Sequence, residues 1–306
     1  MTQNSPISIS IGIPVYNEEN NISKLLGSIE NQRQEKYKID CVFVVDDCST
    51  DKSKSEIQKY ISNSKLPIKF IHLEKNFGKA KVLNIIYGLV KSEILITFDS
   101  DALFPNKGDV NNCINEWVKP YLGEGNDKIG LVCCRAKLID KKCALSRVYN
   151  FTISYCDIIM NLIPDHPSFA NGYMQIIPKK VFKNIYYPEN LIRIDTFLYL
   201  WIKKHKLKFN LLESPRLCLR SEEGKGFFWY LKMQGRVNQI PQRHIDEFGK
   251  EAKKIYKYPP KSILLPAFFK ALIKNPTEGL LFVVWKGSSL VFNKLIKRKI
   301  PANWRK

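Results

Sequence analysis

Over its first hundred residues the chain alternates short apolar runs with stretches of helical spacing, and this alternation restricts the fold more than any other feature. Ile7, Ile9, Ile11 and Ile13 alternate with Ser8, Ser10 and Gly12 at the period of a strand, and Pro14 ends the run. Apolar residues at 22, 25, 26 and 29 predict a helix over Glu18–Ile29, with Asn17 placed to cap it. Cys41–Val45 is a β-branched run that ends in Asp46-Asp47, and Ser49, Thr50 or Asp51 stands where a cap would start a helix reaching about Ile61. Ile68–Leu73 reads as a strand, Gly78–Val90 as a helix and Ile94–Phe98 as a fourth strand closing on Asp99. Strands separated by helices of this length imply an α/β chain whose sheet is parallel and covered on both faces.

In such sheets ligands bind beyond the carboxyl ends of the strands. The polar residues at those ends are Tyr16-Asn17-Glu18, Asp46-Asp47 and Asp99-Ser100-Asp101, so three clusters share one rim. Asp99 and Asp101 supply hard oxygen atoms suited to Mg²⁺ or Mn²⁺ completed by phosphate and water; an ordinary solvated turn is the alternative. Adjacent carboxylates at 46 and 47 repel unless a donor or cation lies near, and a base imide or a ribose hydroxyl would be such a donor. Tyr16 is placed to stack on a base whose edge the Pro14 backbone meets.

Four segments in order resemble the family 2 glycosyltransferases, whose fold is the nucleotide-sugar-binding GT-A fold. They are Pro14-Val15-Tyr16-Asn17-Glu18, Val45-Asp46-Asp47-Cys48-Ser49-Thr50-Asp51, Asn76-Phe77-Gly78-Lys79-Ala80 and Asp99-Ser100-Asp101. The resemblance implies that Pro14, Tyr16 and Glu18 line the nucleoside pocket and that Asp47, with Asp46 nearby, contacts the base. It implies that Gly78 and Lys79 border the nucleotide. Asp99 would lie near the ribose and the metal, Ser100 would join the donor-binding set, and Asp101 would be the principal metal ligand. Further on, Asn171-Gly172-Tyr173-Met174 is similar to the family's Gly-rich acceptor-site segment, which adds Gly172 to the donor-binding set. Arg193-Ile194-Asp195-Thr196 is similar to the segment carrying the catalytic base, with Ile194 where a Glu is usual, and it marks Asp195. Asp195 also suits the first turn of a helix on dipole grounds alone. Gln234-Gly235-Arg236 is similar to a Gln/Arg motif, with Val237 in place of its Trp, and offers Arg236 to a diphosphate. Leu219-Arg220-Ser221 stands where some relatives carry a metal-binding His.

The activity so implied is inverting transfer of a sugar from a nucleotide-diphosphate sugar, UDP first, to a hydroxyl acceptor that is lipid-linked or a polysaccharide. Asp195 would act as base and Mn²⁺ or Mg²⁺ as cofactor. Two other readings stay open. One is a sugar-nucleotide nucleotidyltransferase, against which stands the lack of a Gly-rich basic loop after the first strand. The other is a non-catalytic module binding membrane or polyanion on the same scaffold.

The second half reads as mixed, with strands over Ile129–Leu138, Tyr173–Ile177 and Phe209–Leu212 and helices over Ala144–Leu162, Asp195–His205 and Gly226–Val237. The expected organisation is one GT-A-like domain over 1–258, with a nucleotide-binding half at 7–101 and an acceptor half at 102–258. A basic, apolar, helical extension follows at 259–306.

Charge sets the extension apart. Residues 1–202 carry 25 Lys/Arg against 22 Asp/Glu, whereas residues 203–306 carry 24 against 7, a balance that seeks polyanions or anionic lipid. Aliphatic and aromatic runs such as Ile263-Leu264-Leu265 and Leu280–Trp285, followed by Lys294, Lys297, Arg298 and Lys299, favour lipid over nucleic acid. Packing of these helices on the main domain is the other reading. No 18 apolar residues run uninterrupted, so no spanning helix is expected. Eight cysteines without a Cys-x-x-Cys pair speak against a zinc framework, and those inside apolar runs, such as Cys133-Cys134, read as small buried hydrophobes in a reducing cytoplasm. With no basic, then apolar, leader in Met1–Ser10, the expected place is cytoplasmic, peripheral on the inner face of the membrane.

Overall fold

A computed structural model of the chain describes residues 6–118, 128–138, 143–167, 170–219, 227–228, 230–231, 234, 242–255 and 259–295. Strands β1 (Ile7–Val15), β2 (Tyr37–Asp46), β3 (Ile68–His72) and β4 (Ile94–Phe98) alternate with helices α1 (Ile22–Glu30), α2 (Ser53–Ile61) and α3 (Lys79–Leu89). Then come the two-residue β5 (Ala102–Leu103), α4 (Asp109–Cys113), β6 (Ile129–Leu138), α5 (Ala144–Leu162) and β7 (Met174–Pro178). The short α6 (Lys179–Phe182), α7 (Ile194–Lys204) and β8 (Lys208–Leu219) complete the sheet region. The last helices are α8 (Gln242–Ile255), α9 (Lys261–Lys274) and α10 (Pro276–Leu295).

The eight strands form one sheet in the order β3-β2-β1-β4-β7-β6-β8-β5. The β3-β2-β1-β4 half is parallel throughout, as the alternation requires. β7 runs antiparallel to both of its neighbours, β8 is parallel to β6, and β5 is antiparallel to β8, so the second half is mixed as expected. Each face is covered. Leu25, Leu26 and Ile29 of α1 and Ile57 of α2 pack on Ile9, Ile11, Ile13, Val42 and Val44 from one side. Leu83 and Ile86 of α3 and Phe197 and Leu198 of α7 pack on Leu95, Leu131 and Ile177 from the other. Each aliphatic side chain so buried is worth about 1.5–3 kcal/mol over its exposed state. Buried Cys113, Cys133 and Cys134 are free thiols within this core, in keeping with their reading as small hydrophobes.

Several expectations need correction. α1 begins at Ile22 rather than Glu18, and Asn17 does not cap it: Asn17 takes a left-handed turn, φ 54°, and its side chain binds the neighbouring loop. α2 begins at Ser53; of the three capping candidates Ser49 and Thr50 face Asn17, and Asp51 is the one that reaches the helix start, its Oδ1 accepting the Ser53 amide at 2.9 Å. β8 runs well past Leu212, since it pairs with β6 as far as Leu138↔Leu219 across a register shift at Cys134/Ala136. α8 was not foreseen, and a non-helical Gly249 interrupts it. The expected helix over Gly226–Val237 lies largely outside the described residues.

α9 and α10 dock on α5. Phe151 of α5 meets Phe268 at 5.6 Å and Phe282 at 5.0 Å, while Ala267 and Ala271 are buried. Among the described residues no helix is long and apolar enough to cross a membrane.

Candidate active site

The loops after β1 and β2 are braced to each other. The Asn17 amide donates to Ser49 Oγ at 2.9 Å and the Thr50 amide to Asn17 Oδ1 at 2.8 Å. The Glu18 amide donates to Ser53 Oγ at 2.7 Å, the Glu19 amide to Asp51 Oδ2 at 3.1 Å, and the Lys52 amide to Glu19 Oε2 at 2.9 Å. The left-handed turn at Asn17, which Asn tolerates better than most residues, brings these groups into register. Pro14, Tyr16 and Glu18 are consequently all buried at this edge. The Glu18 carboxylate accepts from Asn21 Nδ2 at 2.7 Å, and its carbonyl accepts the amides that open α1.

Asp46 and Asp47 are fully buried, and the donors that adjacent carboxylates demand come from the chain itself. Asp46 Oδ1 accepts the Ser49 amide at 3.3 Å and the Ser49 hydroxyl, and its Oδ2 lies 2.7 Å from His72 Nδ1. Asp47 Oδ1 accepts the Phe77 amide at 2.7 Å and its Oδ2 the Gly78 amide at 2.8 Å. Burial raises the Asp47 pKa; those two amides oppose the rise and Asp46 adds to it. Asp47 thereby fixes the 76–78 loop, where Gly78 (φ 87°) turns the chain into α3. Hydrogen bonds to a charged group contribute about 1.5–3 kcal/mol each. Asp47→Ala is therefore expected to lower stability by about 3 kcal/mol, read as a drop in the urea midpoint at unchanged slope, with Asp47→Asn recovering part of the loss. A change within about 0.5 kcal/mol would show that the loop holds without it.

Lys79, the first residue of α3, places its ammonium on Asp99 Oδ1. The Asp99 amide donates to the Gly172 carbonyl at 3.1 Å, which ties the end of β4 to the segment entering β7. Gln175 on β7 donates from Nε2 to Asp195 Oδ1 at 3.2 Å. Asp195 stands in the first turn of α7, directly after Arg193 turns the chain with φ 55°. A Cβ placed on Gly172 would lie 2.8 Å from Lys79 Nζ, 3.0 Å from Asp99 Oδ2 and 3.1 Å from Asp195 Oδ1. Three charged groups from three separate elements therefore meet over one glycine.

The electrostatics follow from that meeting. Burial works against the Lys79 ammonium, but Asp99, Asp195 and Asp101 outweigh it and raise its pKa. Burial raises Asp195 to about 6, with Lys79 opposing, Asp99 adding, and the Gln175 hydrogen bond and Arg193 opposing. Burial, then Asp101 and Asp99, raise the Tyr173 hydroxyl. Ser100 is buried and Asp101 half-buried on the same turn.

Among the described residues no three His, Cys, Asp or Glu side chains gather closely enough to hold a metal ion. Asp99 and Asp101 still offer hard oxygens on a rim where three carboxylates face one ammonium. That donor set fits an open cation site whose remaining ligands come from a diphosphate and water, not a closed cage. Arg236, Arg220 and Ser221 lie outside the described residues. Gln234, which opens the Arg236 motif, accepts a hydrogen bond from Lys286 Nζ at 2.6 Å.

The structure brings Lys79, Asp99, Gly172 and Asp195 together, and it adds Gln175 and Arg193, which sequence reasoning gave no role. Gln175 carried a signal: it is the one polar residue inside the apolar run Met174–Ile177, two positions from Tyr173 on a strand. His72 and Ser49 carried none, because only the fold shows that Asp46 faces them.

Residues 10–185 match the model of "Glycosyl transferase family 2". The poly(ribitol-phosphate) beta-N-acetylglucosaminyltransferase TarS of Staphylococcus aureus is 36% identical over 96 residues, 31% of this chain and 16% of that protein. An undecaprenyl-phosphate 4-deoxy-4-formamido-L-arabinose transferase of Pseudomonas fluorescens is 33% identical over 98 residues, 32% of this chain and 29% of that protein. The matched stretch thus spans less than a third of each relative's length. In fold, the chain is similar to the mannosyltransferase PcManGT of Pyrobaculum calidifontis, solved with GDP-Man and Mn²⁺. The TM-score is 0.59 at 17% identity, covering 94% of this chain and 76% of that one. It is also similar to residues 1–349 of S. aureus TarS solved with UDP-GlcNAc, at a TM-score of 0.53 and 18% identity, covering 94% and 89%.

Proposed function

This chain belongs to glycosyl transferase family 2 with a GT-A sheet, and from that premise we propose that it transfers a sugar, with inversion, from a nucleotide-diphosphate sugar to a hydroxyl acceptor. The observation that carries the proposal is the meeting of Lys79, Asp99 and Asp195 over Gly172. A pKa of about 6 leaves Asp195 ionised by about tenfold at pH 7, yet basic enough to take a proton. In the proposed reaction an Asp195 oxygen accepts the acceptor's hydroxyl proton. The freed oxygen attacks the anomeric carbon, and the bond to the diphosphate breaks on the opposite side. No enzyme nucleophile is needed. Gln175 holds Asp195 by a hydrogen bond, the Lys79 ammonium favours its charged form, and the missing side chain at Gly172 lets the three charged groups close over the backbone.

Asp99 and Asp101 are the residues that would hold Mn²⁺ or Mg²⁺; when bound, such a cation supplies positive charge to a departing diphosphate. Arg236 is assigned to the same diphosphate. The nucleoside is assigned to the braced edge at Pro14, Tyr16 and Glu18. UDP is the first candidate, since TarS has been solved with UDP; GDP is the second, on the precedent of PcManGT. The acceptor class is a lipid-linked or polymeric hydroxyl; the relatives' names speak of a polymer, poly(ribitol-phosphate), and of a lipid, undecaprenyl-phosphate. Residues 1–258 form the transferase domain in this reading, and 259–306 its extension.

Thermal-shift titration with UDP, GDP and CMP, with and without Mn²⁺, tests the proposal. A ligand at a hundred times its Kd stabilises the native state by about 2.7 kcal/mol. The expected result is a Mn²⁺-dependent rise of several degrees with one nucleotide, lost in Asp101→Asn. No shift with any of the three would remove the donor site and the proposal with it.

A further inference from the structure

α10 carries apolar residues on its outer as well as its inner side. Facing the domain are Trp285, fully buried Ser289, and Lys286, whose ammonium reaches Gln234 and whose pKa is lowered by burial. Facing outward are Leu280, Val283, Val284, Leu290 and Val291, each between 48% and 65% exposed. These positions fall on one helical stripe, and between Leu280 and Val291 every exposed position is aliphatic apart from Gly287. α9 repeats the arrangement: Leu265, Phe269 and Ile273, spaced four apart, are 55%, 57% and 81% exposed. Exposed Lys261, Lys270 and Lys274 border them. A helix against water turns its lysines out and its aliphatics in. In α10 Lys286 points inward, and in both helices large aliphatic or aromatic side chains face outward; a contiguous apolar face of this kind marks a docking surface.

We infer that the outer face of α9 and α10 lies in the plane of an anionic bilayer surface. Neither helix is long and apolar enough to cross a membrane, which leaves the in-plane arrangement for an apolar face rimmed with lysine. Charge selects the occupant. Residues 203–306 hold 24 Lys/Arg against 7 Asp/Glu, so a second copy would bring one lysine border against another, whereas anionic headgroups complement it. The inference rests on this surface alone and stands apart from the transferase reading.

Co-sedimentation of the full chain with phosphatidylcholine vesicles, with and without phosphatidylglycerol, tests it. Pelleting is expected with the anionic vesicles and is expected to fall as salt rises. Val283→Asp with Val284→Asp should reduce the partition coefficient by at least about tenfold. Lys270→Glu with Lys274→Glu should reduce it by about fivefold per residue. Both pairs are exposed, so the melting temperature should hold; if the Asp pair fails to fold, the Glu pair decides. Three results would overturn the inference: no pelleting with anionic vesicles, equal pelleting of wild type and variants, or a wild-type dimer that the Asp pair converts to monomer.

Discussion

Asp195→Asn is expected to lower transfer turnover by about 10²–10⁴-fold while leaving nucleotide affinity within a few-fold, because it removes a proton acceptor and little else. Asn keeps the shape of the side chain and an oxygen that still accepts from Gln175 Nε2, so α7 and β7 remain joined. The pH dependence carries a second, independent signature. Burial holds Asp195 at about 6, so wild-type kcat/KM should fall by about tenfold per unit below that pH, and the residual activity of the variant should lack that limb. Stability should move the opposite way. A carboxyl whose pKa rises on folding contributes stability that is fully present below its unfolded pKa, near 3.8, and is lost as pH rises through about 6. At pH 8 the wild type therefore maintains a buried charge that the variant does not, and Asp195→Asn should melt higher there, with the gain vanishing towards pH 4. A residue that merely capped α7 would lower stability when replaced and leave kcat alone. Near-normal turnover in the folded variant would remove Asp195 from the chemistry.

How much of this could be read from the residues differs between regions for physical reasons. The β1–β4 half was legible because each apolar run is short and ends in a carboxylate or a proline, which marks both the strand and its functional end. Ile94–Phe98 needed no revision at either boundary. The rim clusters followed from that, since topology alone puts the ends of β1, β2 and β4 side by side. The braces between Asn17, Glu19, Ser49 and Asp51 were not legible. A polar residue before a helix reads as its cap, and nothing in the local pattern shows that its partner lies more than thirty residues away. β8 was foreshortened because Glu213-Ser214-Pro215-Arg216 breaks the apolar pattern; the pairing with β6 is interrupted there, with only Arg135 opposite, and resumes at Leu217. In α10 the apolar residues run nearly all round, so the period could not say which face turns inward. Packing of Phe282 on Phe151 and the Lys286–Gln234 hydrogen bond decide that, and with it the direction in which the aliphatic stripe points.

Gly172→Ala should inactivate the enzyme without unfolding it. The first steric cost falls on Lys79 Nζ, 2.8 Å from the new methyl and at the tip of a flexible side chain, so relief is cheap: the ammonium swings away. Asp99 Oδ2 at 3.0 Å and Asp195 Oδ1 at 3.1 Å each give by a few tenths of an ångström. Backbone strain is not expected, since Gly172 is not among the residues with positive φ. The change in stability should therefore stay within about 1 kcal/mol. Chemistry is less forgiving, because a displacement of about 1 Å at a reacting group can lower rate by about 10²-fold. Turnover should fall by at least that factor, and the nucleotide-induced thermal shift should shrink as Lys79 leaves Asp99. A double-mutant cycle separates the two routes. If the methyl acts chiefly by evicting the ammonium, Gly172→Ala combined with Lys79→Ala will be little worse than Lys79→Ala alone, and the two effects will not add. Full additivity would instead place the damage at Asp99 and Asp195, where the methyl crowds the carboxylates directly. Wild-type turnover in Gly172→Ala would mean that the close packing of these three groups over the glycine is not needed for transfer, and the reaction would then have to be located elsewhere on the rim.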